Sequence, residues 1–351
     1  MSDLSARLGI AHPIVQAPMA GSQGSRLAIA VCEAGGLGSL PCAMLTLQAM
    51  QSELRCIKSA TSAPFNVNFF CHEVPVRDAG RETAWRRRLL PYYNELGISQ
   101  ENIPESPPRA PFSAEMADLL GEFEPAVVSF HFGLPTRALV NRVKAWGSLV
   151  MSTATTVDEA RWLEANGADV IIAQGFEAGG HRGMFLTTDI TTQVGTMALV
   201  PQVVHAVNVP VIAAGGIASS AGVHAALALG AGAAQIGTAF LLCAESATSA
   251  VHRAALKSEA ASHTTITNVF TGRPARAIIN RALLEIGPMN SGAPEFPLAV
   301  TAMFPLRVGH EERGSSEFTP LWAGQGASAC REISATELVR ELAAAERATG
   351  V

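Results

Sequence analysis

Two histidines stand where a working imidazole would be placed. In QGFEAGGHRG, Gln174 to Gly183, an apolar run ends at Gln174, Gly179 and Gly180 let backbone approach a ligand, and His181 follows directly. Imidazole titrates near neutral pH, so His181 could act as base, acid or donor to developing negative charge. His131, in VVSFHFGLP, ends another apolar run; the competing reading there is a core histidine satisfied by a backbone carbonyl. Among the nine histidines, His205, His224 and His252 fall in helical patterns and read as surface or packing residues. In FNVNFF, Asn66 and Asn68 alternate with apolar residues, which puts both amides on one strand face. Amides at a strand end can bind a planar heterocycle, with Gln174 joining from another direction, or can serve a hydrogen-bond layer inside the fold.

Two glycine-bearing loops suggest a phosphate site. AAGGI carries Gly215 and Gly216, and QIGTAF carries Gln235, Ile236, Gly237 and Thr238. Glycines let backbone N–H groups reach an oxyanion, and a following helix N-terminus adds its positive end. Gly215 and Gly216 alone would imply no more than a tight turn. The sequence has no HExxH, GxSxG or GxxxxGK[ST], and Cys71-His72 is a single adjacent pair, so a metal site, a serine hydrolase and a nucleotide hydrolase are disfavoured.

These residues fall at the ends of eight short β-branched or apolar runs: 14–19, 36–40, 65–70, 126–132, 149–154, 169–175, 210–216 and 233–240. Most are followed by helical spacing. In TTVDEARWLEANGA, Thr156 or Asp158 can cap a helix whose inner side is Ala160, Leu163 and Ala165, and Gly167 ends it; SSAGVHAALALGA repeats the plan. Parallel strands need such crossovers, and eight units close a (β/α)8 TIM barrel of about 250 residues, whose working residues lie at the C-terminal strand ends. A doubly wound sheet would need GxGxxG at its first turn, where this chain reads APMAGSQGS and AGGLGSLP. The surplus falls in 71–119, which holds a charged amphipathic piece and the Pro-rich loop IPESPPRAPF, and in 246–317, which passes from a helix-like run through TGRPARAIINRALLE to a Gly/Pro-broken segment. Together these are expected to form a smaller helical lobe over one barrel mouth, leaving 1–70, 120–245 and 318–351 as the barrel. A last amphipathic helix is expected over 335–347.

Composition agrees with a small-molecule enzyme. Of 351 residues, 48% are hydrophobic and 16% charged, which suits a large core and excludes a disordered chain. Net charge is −5, so there is no basic excess for nucleic-acid binding. The six cysteines form no CxxC pair and read as reduced, the N-terminus has no apolar export segment, and a cytoplasmic protein is expected. The uncharged stretch 190–244 is cut by Pro201, Pro210, Gly215, Gly216 and Gly230 into pieces too short to span a membrane.

Taken together, PIVQAPMAG, AGGLGSL, FNVNFF, QGFEAGGHRG, PVIAAGGI and AAQIGTAFL resemble the nitronate monooxygenase family, formerly 2-nitropropane dioxygenases, from about residue 8 to 285; SFHFGLP is most similar to its class I members. The resemblance implies FMN bound non-covalently in the barrel. Substrates would be alkyl nitronates such as propionate 3-nitronate, converted with O2 to a carbonyl compound and nitrite without obligatory NAD(P)H. Pro18, Met19 and Ala20 would pass along the flavin ring, and Asn68 and Gln174 would hydrogen-bond it. Gly179, Gly180, Gly215, Gly216, Gln235, Ile236, Gly237 and Thr238 would complete the cofactor site. His181 matches the family's usual catalytic candidate and His131 its class I histidine, and one or the other would meet the nitronate charge. Should neutral nitroalkanes be accepted, His181 would be the base. The only tyrosines are Tyr92 and Tyr93, so tyrosines that the family places around its substrate from the C-terminal region are absent. FMN-dependent NAD(P)H:quinone reductases and a flavin enoyl reductase share this architecture and loop, and a non-catalytic flavin-binding or phosphate-binding protein is the reading from another class. A homodimer is compatible with the sequence, with neither membrane nor nucleic acid as partner.

Overall fold

The structure, a computed structural model, describes residues 3–99, 103 and 109–344. Residues 104–108 of the Pro-rich loop and the last residues of the expected final helix lie outside these. A short helix α1 (Asp3–Leu8) leads into β1 (Ile14–Gln16), α2 (Ser25–Glu33), β2 (Gly38–Pro41), α3 (Leu47–Ala60) and β3 (Phe65–Phe70). After α4 (Ala79–Leu96) and α5 (Ala114–Gly121) the alternation continues through β4 (Val127–His131), α6 (Arg137–Ala145), β5 (Leu149–Ala154), α7 (Val157–Ala165) and β6 (Val170–Gln174). A two-residue strand β7 (Gly180–His181) precedes α8 (Thr196–Ala206), β8 (Val211–Ala214), α9 (Ser220–Ala228) and β9 (Ala233–Ile236).

Eight of these strands form one parallel sheet in the order β1-β9-β8-β6-β5-β4-β3-β2. It closes where Val15 bridges Leu37, with Gln16 N–H and Leu37 N–H each donating to the facing strand at 2.9 Å. The result is the (β/α)8 barrel. Both faces of every strand are covered, which is why VIIA and VIAA read as continuous apolar runs rather than alternating ones. Leu4 and Leu8 of α1, with Ile10, pack on Val15, Leu37, Val127, Met151, Val170 and Ile212, plugging the end opposite the C-terminal strand ends. Thr156 caps α7 by accepting from Glu159 N–H, and Ser219 caps α9 by accepting from Gly222 N–H, as the spacing predicts.

The expected strand windows 14–19 and 233–240 run past the observed ends at Gln16 and Ile236. There the chain leaves the ladder to line the mouth, so the apolar character continues while strand pairing does not. The second added segment contains α10 (Ala250–Leu256), β10 (Thr264–Thr267), β11 (Ala275–Ile278), α11 (Arg281–Ile286) and α12 (Ala299–Glu311). It is therefore not wholly helical: β10, β11 and β7 make an antiparallel sheet, with Ala275 opposite His181. The Gly/Pro-broken stretch also holds α12, a 13-residue helix with Pro305 inside it. Trp85, Leu89 and Tyr93 of α4 pack with Met303 and Leu306 of α12 and with Phe318, giving this part a core of its own. The final helix, α13 (Ala335–Leu342), buries Leu338, Val339 and Leu342 against the barrel.

Candidate active site

The C-terminal strand ends surround one cavity, and most of the expected residues meet there. Pro18, Met19, Ala20, Asn68, Gln174, Gly179, Gly180, Gly215, Gly216, Gln235, Gly237 and Thr238 line it, together with His131 and His181. Ile236 does not: its side chain points outward into the core beneath the helices. Asn66 also stays away, donating 2.9 Å to Ser39 Oγ in a polar layer inside the barrel. Asn68 spends its amide N–H groups on Ser129, 2.9 Å to Oγ, which leaves its carbonyl oxygen as the group able to accept from a ligand.

A dense set of buried hydrogen bonds holds the loop that carries His181. Gln174 Nε2 donates to His181 O at 3.0 Å, and Gln174 Oε1 accepts from Gly183 N–H at 2.8 Å. Arg182 is fully buried and donates to Gln174 O, Gly175 O and Gln193 Oε1 at 2.7 to 2.9 Å. Burial pulls its guanidinium down to about 9, still cationic at neutral pH. The Glu159 carboxylate, also fully buried, accepts from Thr155 N–H and Oγ1 at 2.7 Å and from Phe185 N–H at 2.6 Å. Glu177 accepts from Thr196 N–H and hydroxyl, tying the same loop to the start of α8. Neither Arg182 nor Glu159 stands out in the sequence, because burial of a charge depends on partners that folding brings together.

His131 has both ring nitrogens engaged. Nε2 lies 3.1 Å from His181 O and Nδ1 lies 3.1 Å from Thr153 Oγ1. A carbonyl can only accept, so Nε2 carries the proton and Nδ1 accepts from the threonine hydroxyl. Burial lowers its pKa to about 3. The carbonyl-satisfied reading thus describes this ring, although it borders the cavity. His181 donates or accepts at Nε2 with Thr271 Oγ1, 2.9 Å away, and its Nδ1 has no protein partner among the described residues. Burial, followed by the charge of Arg109, holds His181 well below 6.5. Neither imidazole keeps the near-neutral titration expected of an isolated side chain, and neither brings a positive charge at pH 7.

An aromatic wall surrounds His181. Phe296 and Trp322 have ring centroids 5.3 and 5.4 Å away, with Phe132 and Phe70 at 5.9 and 6.1 Å. Tyr93 instead donates to Ala302 O within the second core, and Tyr92 packs on Phe318. Phe296, Trp322 and Arg109, which also lines the cavity, escaped sequence reasoning. All three lie in Pro-rich or irregular stretches with no periodicity to mark a buried face. The motif-like spelling of PEFP and TPLW was the available signal.

Opposite this wall, Gly215 and Gly216 have φ of 121° and 71°, conformations that suit glycine. The N–H groups of Gly216, Gly237 and Thr238 have no acceptor among the described residues. Gln235 Oε1 is buried and likewise unpartnered. A Cβ on Gly179 would come within 2.4 Å of Gly324 N, so the two loops close tightly over this side. Unfilled donors near the phosphate loops and an unfilled acceptor at the barrel centre suit a planar, phosphorylated heterocycle.

The family model described as nitronate monooxygenase matches residues 1–345. A nitronate monooxygenase from Pseudomonas aeruginosa is 42% identical over 348 residues, covering 97% of this chain and 98% of that one. Another, from Paraburkholderia phytofirmans, is 40% identical and covers 95% and 92%. Among solved structures, the nitroalkane oxidase of Streptomyces ansochromogenes is similar at a TM-score of 0.89 and 40% identity, over 97% of each chain. FabK of Thermotoga maritima is similar at a TM-score of 0.73 and 28% identity, over 97% and 94%. The match extends through the C-terminal stretch beyond residue 285, where sequence motifs ran out.

Proposed function

The chain belongs to the nitronate monooxygenase family, and from that premise we propose that it oxidises alkyl nitronates, propionate 3-nitronate among them, with O2 and bound FMN to a carbonyl compound and nitrite. The observation that carries this reading is the cavity itself, where unpartnered groups at Gln235, Gly216, Gly237 and Thr238 face a neutral His181 inside an aromatic wall. The family is flavin-dependent. Bound flavin supplies the electron acceptor and the reaction with oxygen.

Pro18, Met19 and Ala20 would lie along the flavin ring, Asn68, Gln174 and Gln235 would meet its polar edge, and Gly179 and Gly180 would close over it. The N–H groups of Gly216, Gly237 and Thr238, with Gly215 shaping the turn, would hold the phosphate. We assign segments 71–119 and 246–317 to a lobe that would receive the substrate; within it, strand β11 pairs with β7 and so holds His181. His131 acts as a positioning residue, holding the His181 carbonyl from one side while Gln174 holds it from the other.

A nitronate has already lost its α-proton, so no base is required, and a His181 held neutral fits that substrate. Thr271 Oγ1 donates to Arg273 O and so accepts a hydrogen bond from Nε2–H, leaving Nδ1 as the atom at which the ring can take a hydrogen bond or proton. The aromatic wall excludes water from the reacting carbon. We also assign the chain to the cytoplasm; among the described residues no helix is long and apolar enough to cross a membrane.

The test is oxygen uptake and nitrite release from propionate 3-nitronate by flavin-loaded protein without NAD(P)H. Stoichiometric nitrite supports the reading. No nitrite, with steady NADH oxidation by quinone, would make this chain a reductase on the same barrel.

A further inference from the structure

A nitronate is an anion, and both histidines beside the cavity are neutral at pH 7. Arg109 is the one charged side chain among the described residues lining the cavity. We propose that Arg109 supplies the counter-charge that holds the nitronate, and is thereby the residue that selects this anion over the neutral nitroalkane. The inference rests on the nitronate reading of the site.

Three observations place Arg109 in that role. Its guanidinium lies 5.9 Å from the Phe296 ring centroid, and the same ring is 5.3 Å from that of His181, so the two groups share one aromatic wall. No carboxylate or other acceptor among the described residues engages the guanidinium, whereas the neighbouring arginines are committed. Arg182 donates to Gly175 O and Gln174 O, Arg276 to Phe176 O, and Arg273 to Met184 O while lying 3.9 Å over Phe132. Arg109 therefore keeps its planar donors for a ligand, and a guanidinium matches a planar oxyanion with paired N–H groups. Finally, Arg109 lines the cavity with Phe70 and His131 at the ends of β3 and β4, three residues before Phe112, whose N–H donates to Phe70 O; in the strand order these ends lie across the barrel from the free N–H groups after β8 and β9. A phosphate held by those groups leaves Arg109 unpaired. Burial brings its pKa to about 10, which preserves the charge at neutral pH.

Flavin-loaded wild type, Arg109→Met, Arg109→Gln and Arg109→Lys would be compared with propyl-1-nitronate, neutral 1-nitropropane, and nitrate as a planar oxyanion inhibitor. Arg109→Met should lower kcat/KM for the nitronate about tenfold to hundredfold, chiefly through KM, and weaken nitrate inhibition similarly. Turnover or inhibition by 1-nitropropane should stay within about twofold, and Arg109→Lys should recover most of the loss. Unchanged nitronate KM and nitrate inhibition in variants with normal flavin content would overturn the proposal. Should Arg109→Met not hold flavin, Arg109→Gln gives the same comparison. A wild type that binds flavin but leaves nitronates untouched overturns the underlying reading instead.

Discussion

Replacing Glu159 by Gln changes one oxygen to an amino group at a side chain with no solvent exposure. Each carboxylate oxygen serves two donors: Oε2 takes Thr155 N–H and Oγ1, both at 2.7 Å, and Oε1 takes Phe185 N–H at 2.6 Å and Leu186 N–H at 3.3 Å. Whichever way the amide turns, an NH2 faces backbone donors. If it faces Thr155, the hydroxyl can reverse and accept, but Thr155 N–H is stranded; if it faces residues 185 and 186, two N–H groups are. Hydrogen bonds to a charged group are worth about 1.5–3 kcal/mol, and a stranded buried donor costs about 1–3 kcal/mol. A loss of about 4 kcal/mol follows, with geometry otherwise kept. For a chain this long the unfolding entropy makes this about 5 °C in Tm. Because the same carboxylate anchors the far end of the loop bearing His181, flavin retention should fall with it. Thermal unfolding of the flavin-loaded protein, followed by circular dichroism and flavin fluorescence, measures both. A Tm within 1 °C of wild type, with full flavin content, would refute the idea that this buried carboxylate organises the loop.

Gly179→Ala places a methyl group 2.4 Å from Gly324 N and 2.6 Å from Ala323 C, where only backbone can yield. Overpacking of this kind costs about 1–3 kcal/mol, so flavin should dissociate roughly tenfold to hundredfold more readily from a protein that still folds, as measured by ultrafiltration and absorbance. Acid should destabilise the fold below pH 6.5. Burial lowers His72 and His252 to about 4 and His131 to about 3, so the unfolded chain binds more protons as pH falls from 6.5 toward those values, and stability is lost there. At pH 5.5 each costs about 1 kcal/mol; urea midpoints at pH 7.5 and 5.5 should differ accordingly, and equal midpoints would contradict the neutral buried state.

The barrel was legible because most strands carry β-branched residues and several of the helices between them are capped by a side chain, as with Thr156 before α7 and Ser219 before α9. The glycine loops and QGFEAGGHRG were legible for a related reason: their positions at strand ends follow from the barrel once the strands are placed. Other features depend on meetings distant in sequence. His181 takes its place by pairing with Ala275, and its aromatic wall comes from Phe296 and Trp322, none of which periodicity connects to residue 181. The state of the histidines was hidden too, since a lowered pKa needs the whole enclosure. His131 looks like a catalytic ring by its strand-end position; only the 3.1 Å approach to the His181 carbonyl shows where its proton goes. Asn66 and Asn68 share a face as the two-residue period demands, yet one step along the barrel separates an interior layer from the ligand cavity.

The central claim is that nitronate itself delivers electrons to a flavin in this cavity. The direct measurement is an anaerobic visible-absorption titration of the flavin-loaded protein with propionate 3-nitronate in one cuvette and NADH in another. Loss of the oxidised flavin spectrum with nitronate alone, and none with NADH, is the result predicted. Bleaching by NADH with an inert nitronate would contradict it.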